Sequence, residues 1–377
     1  MSRTGFVWHQ RYAWHNTGRQ AGPFLADANG WLEPDMRHSE NSDSKKRIAN
    51  LLEVSGLLDR LERITPRMAT EKEVTALHDP LYVRRIREAS AAFGGDGGDG
   101  NTPFGRGSYE VALLAVGGVM STVDAVLDER VTNAYALVRP PGHHAIADTG
   151  MGFCLFGNIA LAAHHARAVR GLRRIAIVDW DVHHGNGTES FFYDDPNVLT
   201  ISIHQDNNYP LNSGAVADNG HGDGLGANIN IPLPPGSGKG AYFAAFERVV
   251  IPALDHFKPN LILVANGFDA SAMDSLGRMM LTTDAYRTLT RYILDAASRH
   301  CQDKLVMAHE GGYATELVPF CGLAVLEEMS GFNTECSEPL IQDFAEQWAY
   351  QELQAHQSAA IDRAAALVEL VPAPKEF

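Results

Sequence analysis

From about residue 130 onward, short and uniformly apolar runs alternate with longer segments of helical period. The runs are Ala134–Val138, Ile175–Asp179, Val198–Ile203, Leu261–Ala265 and Leu305–Ala308. Rich in β-branched residues and apolar throughout, they predict central strands of a parallel sheet covered on both faces. Between them, Glu110–Asp128, Asn158–Arg170, Ala241–Phe257 and Asp284–His300 predict helices, the last entered through a Thr282/Thr283 cap. The class implied is α/β, a central parallel sheet with helices on both faces. The first 90 or so residues read as helical and charged, interrupted by a loop at Gly94–Gly105 (GGDGGDGNTPFG). Residues 330–377 read as a helical, charge-mixed extension with a proline-containing tail. Pro234–Gly238 (PPGSG) lacks the Lys-Ser/Thr ending of a phosphate loop and predicts a turn.

In an open parallel sheet, ligands collect outside the carboxyl ends of the strands. The five runs are followed by Arg139–Cys154 (RPPGHHAIADTGMGFC), Asp179–Thr188 (DWDVHHGNGT), His204, Asn266–Ser271 (NGFDAS) and His309–Tyr313 (HEGGY). Histidines, carboxylates and glycines thus gather at one topological location. Asp181 and His183 form a D-x-H unit, whose alternate side chains leave an extended segment on the same side and are able to share an ion. Asp269, from a different exit, supplies a third ligand. Such a set suits Zn²⁺, with Fe²⁺ or Co²⁺ also accommodated, and three ligands leave the open position a catalytic metal needs. His143 and His144 are adjacent, so one faces the metal centre while the other sits behind it, and histidine is suited to moving a proton near neutral pH. Asp179 and Asn186 are the candidate acceptors that fix their tautomers. Tyr313 is either a phenol donor to a substrate carbonyl or an anchoring core tyrosine. His164 and His165 lie inside an amphipathic helix and read as packing residues, and His184 reads as structural.

Composition narrows the function classes. The 377 residues carry 31 Lys+Arg against 46 Asp+Glu, a net charge of -15, which leaves no basic footprint for nucleic acid. A basic or cationic partner is compatible with that charge. A hydrophobic content of 45% excludes global disorder. Cys154, Cys301, Cys321 and Cys336 show no CxxC spacing, which argues against a disulfide framework or a thiolate zinc site. The N-terminus lacks a signal-like apolar region and no apolar run approaches bilayer-spanning length, so a cytoplasmic protein with no membrane partner is expected. Length alone leaves one or two domains open. Convergence of the strand exits favours a single domain over residues 1–377, with the catalytic motifs between residues 99 and 313.

RPPGHH, GFCLFGN, DWDVHHGNGT, SIHQD, GFDAS and EGGY, in this order and spacing, resemble the zinc-dependent histone deacetylase superfamily with its arginase-like α/β fold, and within it the bacterial class II-type amidohydrolases. The resemblance runs from about Thr4 to about residue 330. It implies one zinc ion per chain held by Asp181, His183 and Asp269, with a bound water of pKa brought toward about 7. It also implies His144 as general base then acid, His143 as its electrostatic partner paired with Asp179, and Tyr313 as the oxyanion donor. Asn186 stands where class I members carry Asp, as in class II. Phe153 corresponds to one wall of an acyl-lysine tunnel, Gly152 to its neighbouring backbone contact, and Asp99 to a rim aspartate that grips substrate backbone. Tyr209 falls where the opposite wall is usually Phe, which makes the tunnel slightly more polar. A structural K⁺ bound by Asp179, Asp181, His183 and Ser202 is implied too.

The activity implied is removal of acetyl or other acyl groups from the ε-amine of lysine, in a protein, a peptide or a similar small acylated amine, with release of acetate. The rival within the enzyme class is an acetylpolyamine amidohydrolase. Leu276 follows Asp274 and Ser275 where polyamine-selective relatives carry an acidic gatekeeper, which weakens that reading. An arginase-type binuclear manganese site requires a second set of aspartates that the sequence does not offer. A catalytically inactive acyl-lysine binding module would lack a ligand, the base or the tyrosine, and all are present. The resemblance further implies a homo-oligomer, dimer or tetramer.

Overall fold

The strand and helix signals assemble into a parallel sheet between two helical layers. The computed structural model describes residues 3–374 apart from 22–23, 26–32, 34–35, 340–343, 346 and 348–350. The sheet strands are β1 Thr4–Val7, β2 Glu62–Arg63, β3 Asn133–Ala136, β4 Ile175–Asp179, β5 Val198–Gln205, β6 Asn228–Leu233, β7 Leu261–Asn266 and β8 Leu305–His309. They lie in the order β6-β5-β4-β7-β8-β3-β1-β2, every neighbouring pair parallel. Successive side chains leave a strand on opposite faces, so Ala176 and Val178 enter one core layer while Ile175 and Ile177 enter the other. Ile262 and Val264 separate from Leu261, Leu263 and Ala265 in the same way. Both faces are dry, which is why these strands read as unbroken apolar runs.

One layer holds α1 (Asp43–Val54), α4 (Thr283–Cys301), α5 (Val318–Ser330) and a helical stretch through Lys239–Ala245, a π turn at Phe246–Val250 and Ile251–Phe257. The other holds α2 (Ser108–Leu127) and α3 (Asn158–Ala168). From β4 the chain moves outward through β5 to β6, then returns to β7 on the opposite flank of β4. The carboxyl ends of β4 and β7 therefore border a topological switch point, the position where open α/β sheets bind ligands.

Several expectations need correction. The N-terminal region is not simply helical, because β1 inserts beside β3 and β2 closes that edge. Its partners are distant in sequence, so a four-residue run carries no local sign of pairing. β6 was not expected either: Asn228 and Asn230 break its apolar pattern, and both donate to the Glu189 carboxylate. β5 runs two residues beyond its predicted end, which puts His204 inside a strand instead of at an exit. Thr282 takes the N-cap position of α4 without a side-chain capping bond. α2 is long and apolar enough to cross a membrane by length and composition, contrary to the expectation that no run is, and it is mostly buried in the fold. The glycine-rich loop is a tied hairpin: Gly95–Asp96 pairs with Pro103–Phe104, and the Asp96 carboxylate accepts the Gly98, Gly100 and Thr102 N–H groups. The C-terminal extension packs its helix Ala355–Ala365 against β6, and Arg174 donates to the Pro372 carbonyl.

Candidate active site at the strand exits

Asp181 and His183 follow β4 and Asp269 follows β7, so the three straddle the switch point. One ligand atom from each lies within 4.8 Å of the others. Asp181 Oδ1 is 2.9 Å from His183 Nδ1, and its Oδ2 accepts the Gly311 N–H at 2.8 Å. Asp269 Oδ1 accepts the Val182 N–H at 2.8 Å. Asp269 Oδ2 is buried with no hydrogen-bond partner, 3.2 Å from His183 Nδ1. The carboxylates fit only against glycine backbone: a Cβ on Gly311 would lie 2.0 Å from Asp269 Oδ2, and one on Gly267 would lie 2.2 Å from Asp181 Oδ2. Burial and the neighbouring Asp181 push the Asp269 carboxyl up to about 7. Burial also acts to raise Asp181, but His143 and His183 outweigh it and hold that carboxyl low. Two carboxylates and an imidazole with one buried oxygen left unpaired form a donor set that fits a divalent cation.

The adjacent histidines occupy opposite electrostatic states. His143 Nδ1 lies 2.9 Å from Asp179 Oδ2, and its Nε2 is 3.7 Å from Asp181 Oδ1. Burial opposes its charged form, yet the Asp181 and Asp179 carboxylates prevail and raise it to about 10. His144 lies well below the ordinary histidine range, through burial and the positive charge of His143 and His183. Its Nδ1 is 2.8 Å from Asn186 Oδ1, while Asn186 Nδ2 donates to the His144 carbonyl. That second bond turns the amide oxygen toward the ring, so Nδ1 carries the hydrogen and Nε2 keeps its lone pair. A neutral imidazole therefore borders the cavity, with an imidazolium beside it, ring centroids 3.9 Å apart.

The cavity, about 230 Å³, is lined by His144 and His183 at its foot and by Phe153, Tyr209, Leu276 and Tyr313 along its sides. Gly152 joins this lining at φ +55°, where an added Cβ would come 2.2 Å from His144 Cδ2. Burial and the Asp269 and Asp181 carboxylates push the Tyr313 phenol well above its ordinary value, so it stays protonated as a donor. The Tyr313 ring packs edge-on to Phe153, and Lys45 Nζ lies over it at 5.9 Å.

The structure brings Asp181, His183, Asp269, His143, His144, Asp179, Asn186 and Tyr313 together, and Gly152, Phe153, Tyr209 and Leu276 line the cavity. Asp99 departs from the expected substrate-gripping arrangement, because its carboxylate is turned onto Gly152 N and the Tyr209 hydroxyl. Tyr209 accordingly directs its polar atom to Asp99. Ser202 Oγ accepts the Gly185 N–H at 3.3 Å and sits 2.9 Å from His204 Nδ1. His204 takes no place in the cavity, and His184 is engaged with Ser213 and Glu189. Within α3, His165 Nε2 is 2.8 Å from Asp124, as a packing residue would be.

Three carboxylates that support the site carried no predicted role. Asp274 accepts Tyr313 N at 2.7 Å, Ala314 N at 3.2 Å and Leu276 N at 2.9 Å, and burial pushes it up to about 6 against those bonds. Glu310 Oε2 accepts Gly142 N at 2.6 Å and His143 N at 3.2 Å, setting the loop that carries both histidines. Glu40 accepts from Lys45 Nζ at 3.0 Å and from Arg139 Nε at 2.9 Å on both oxygens, all three side chains buried. Glu310 stood within a quoted exit motif, and Asp274 is a lone acid in a mainly apolar loop, so each had a weak signal. Glu40 had none, since Arg139 lies 99 residues on.

Known proteins resemble this chain in sequence and fold. The family described as Histone deacetylase domain matches residues 38–329, which include every residue of the cavity. The chain is 44% identical over 346 residues to a histone deacetylase-like amidohydrolase of Pseudomonas aeruginosa, covering 91% of this chain and 90% of that one. It is 34% identical over 333 residues to a probable deacetylase of Archaeoglobus fulgidus, covering 88% and 87%. The crystal structure of the HDA15 HD domain aligns with a TM-score of 0.85 at 29% identity, covering 98% of this chain and 96% of that one. A fold matched over nearly its whole length and a family match spanning the cavity lead to one conclusion: the chain belongs to the histone deacetylase family, a family of deacetylase-type hydrolases.

Proposed function

We propose that the protein hydrolyses the amide of an acylated amine, with ε-acetyl-lysine as the preferred chemistry, through a zinc ion held by Asp181, His183 and Asp269. The observation that carries the reading is the pairing of a neutral His144 with a protonated Tyr313 across one cavity, above a ligand set with a buried oxygen left unpaired. A bound Zn²⁺ would polarise the acyl carbonyl and lower the pKa of a coordinated water toward about 7. His144 Nε2 takes the proton of the attacking water, and Asn186 holds the tautomer that leaves this nitrogen free. Charge on His143, fixed by Asp179, keeps His144 neutral beforehand. Tyr313 donates to the carbonyl oxygen as negative charge develops there. His144 then gives its proton to the departing amine, leaving a carboxylate and a free amine.

The apolar Leu276 in the cavity lining, its N–H fixed by Asp274, favours a lysyl side chain over a second ammonium. Asp179, Asp181, His183 and Ser202 would hold a K⁺ that stiffens the β4 exit. Tyr313→Phe should retain zinc and lower turnover of an acetyl-lysine peptide by about 10² to 10³. Near-wild-type turnover with full zinc would remove the phenol from the reaction. Comparing kcat/KM for acetyl-lysine peptides and N-acetylputrescine on zinc-loaded protein decides between lysyl and polyamine substrates.

A further inference from the structure

At the cavity mouth, three loops meet on one carboxylate. Asp99 is carried on the tied hairpin, Gly152 on the loop after β3 and Tyr209 on the loop after β5. Asp99 Oδ2 accepts from Gly152 N at 3.0 Å and from the Tyr209 hydroxyl at 3.0 Å, and Oδ1 accepts from Asn101 N at 2.9 Å. Gly152 is wedged in place: a Cβ there would lie 2.2 Å from His144 Cδ2 and 2.8 Å from Tyr209 Cε1. The Tyr209 ring stands edge-on to His144 at 4.9 Å. Hairpin and wall are further joined by Phe153 N to Thr102 Oγ1 at 3.0 Å and by Gly150 N to Gly97 O at 3.0 Å. Burial and the facing Asp99 carboxylate raise the Tyr209 phenol, so it remains a donor throughout the neutral range.

An ionised carboxylate offers about four acceptor positions. Three are taken here, and both positions on Oδ2, the oxygen between the walls, are filled from within the chain. A backbone N–H of a bound peptide therefore meets a carboxylate already engaged, and gaining its better oxygen means breaking the Tyr209 bond. A phenylalanine ring would keep the contact with His144 but leave Asp99 without that donor.

We propose that Tyr209 is a specificity-determining residue: by engaging Asp99 it braces the mouth and directs the enzyme toward acylated amines whose contacts end inside the cavity, over acyl-lysines gripped by their peptide backbone. This rests on the acylamine-hydrolase reading, and the test separates the two. Calorimetry on zinc-loaded, full-length protein measures Kd for two non-cleavable methyl-ketone analogues of acetyl-lysine, one as the free amino acid and one inside a hexapeptide. In Tyr209→Phe the peptide analogue should bind tighter and the free analogue weaker, shifting their Kd ratio by about tenfold, the scale of one hydrogen bond to a charged group. A purely structural defect would move both the same way. Adding Asp99→Ala to Tyr209→Phe should abolish the peptide's gain, because the freed carboxylate is its source. A ratio within twofold of wild type in Tyr209→Phe overturns the brace, even if wild-type protein deacetylates acetyl-lysine. Conversely, a shifted ratio in a protein that hydrolyses no acylamine sustains the brace and sinks the hydrolase reading.

Discussion

Two clusters of buried charge adjoin residues that line the cavity, one through Lys45 over the Tyr313 ring and the other through His183, and they are built on opposite rules. In the first, both Glu40 oxygens receive Arg139 Nε, one also receives Lys45 Nζ, and the remaining Arg139 donors go to the carbonyls of Tyr12, His15 and Glu40. Burial acts to raise Glu40, but Arg139 and Lys45 outweigh it and hold the carboxyl far below its ordinary range. In the second, Asp179, Asp181 and Asp269 face His143 and His183, one Asp269 oxygen has no partner, and that carboxyl is pushed up to about 7. Burial alone does not separate the two. What separates them is whether the chain itself satisfies its acceptors: the Glu40 cluster is closed and props up the protein, whereas the aspartate cluster is open and calls for a cation.

Removing a proposed metal ligand should break this contrast most severely. Asp181→Ala is expected to reduce zinc, measured by elemental analysis, to under about a tenth of the wild-type content and activity by at least about 10³-fold, since the metal supplies several kcal/mol of charge stabilisation. A full zinc complement would mean that the open cluster is not the metal site. Glu40→Gln attacks the closed cluster, leaving two buried cations short of their anion, and should cost about 3–5 kcal/mol in denaturant unfolding. Zinc content per folded chain should stay complete in that variant.

Acidification sharpens the same test. The folded pKa of Glu40 lies below its unfolded value of about 4.3. Its stabilising contribution is therefore complete above that pH and is lost as pH falls through the folded value. Unfolding curves of wild type and Glu40→Gln should converge at acid pH, and a gap that stays constant there would deny Glu40 its salt-bridged role. The smallest effect is expected at Asp274, a carboxylate satisfied by N–H groups without a cation. Asp274→Asn replaces one acceptor by an amide donor facing either Tyr313 and Ala314 or Leu276. It should lower kcat about tenfold with zinc retained and cost about 1–2 kcal/mol, and an unchanged kcat would show that Tyr313 is held by other means.

The contrast also explains which parts could be read from the sequence. The central strands were legible because both faces are buried, and Asp181, His183 and Asp269 because a carboxylate and an imidazole sit two residues apart at the end of such a strand. Asn186 and Asp179 followed from the need to orient two adjacent histidines. The closed cluster was invisible: Glu40 lies in a region with no periodic signal, and nothing local announces a partner 99 residues away. The engagement of Asp99 was not foreseen, since Tyr209 reaches it across 110 residues. β1 and β6 escaped for related reasons, one short and paired at long range, the other interrupted by asparagines that serve the Glu189 carboxylate.

The helix Ala355–Ala365 lies against β6, the last strand on its side of the sheet. Ile229, Ile231 and Leu233 of that strand share a core layer with Ile361 and Ala364 of the helix. The opposite boundary strand, β2, is only two residues long and both are charged. The two boundaries of the sheet are thus finished differently: on one side a minimal charged strand offers little edge to pair with, and on the other the C-terminal helix covers the apolar face of β6. A chain shortened before Ala355 would keep every residue of the cavity yet uncover the apolar side chains of the six-residue strand Asn228–Leu233, so the extension serves the core and not the cavity.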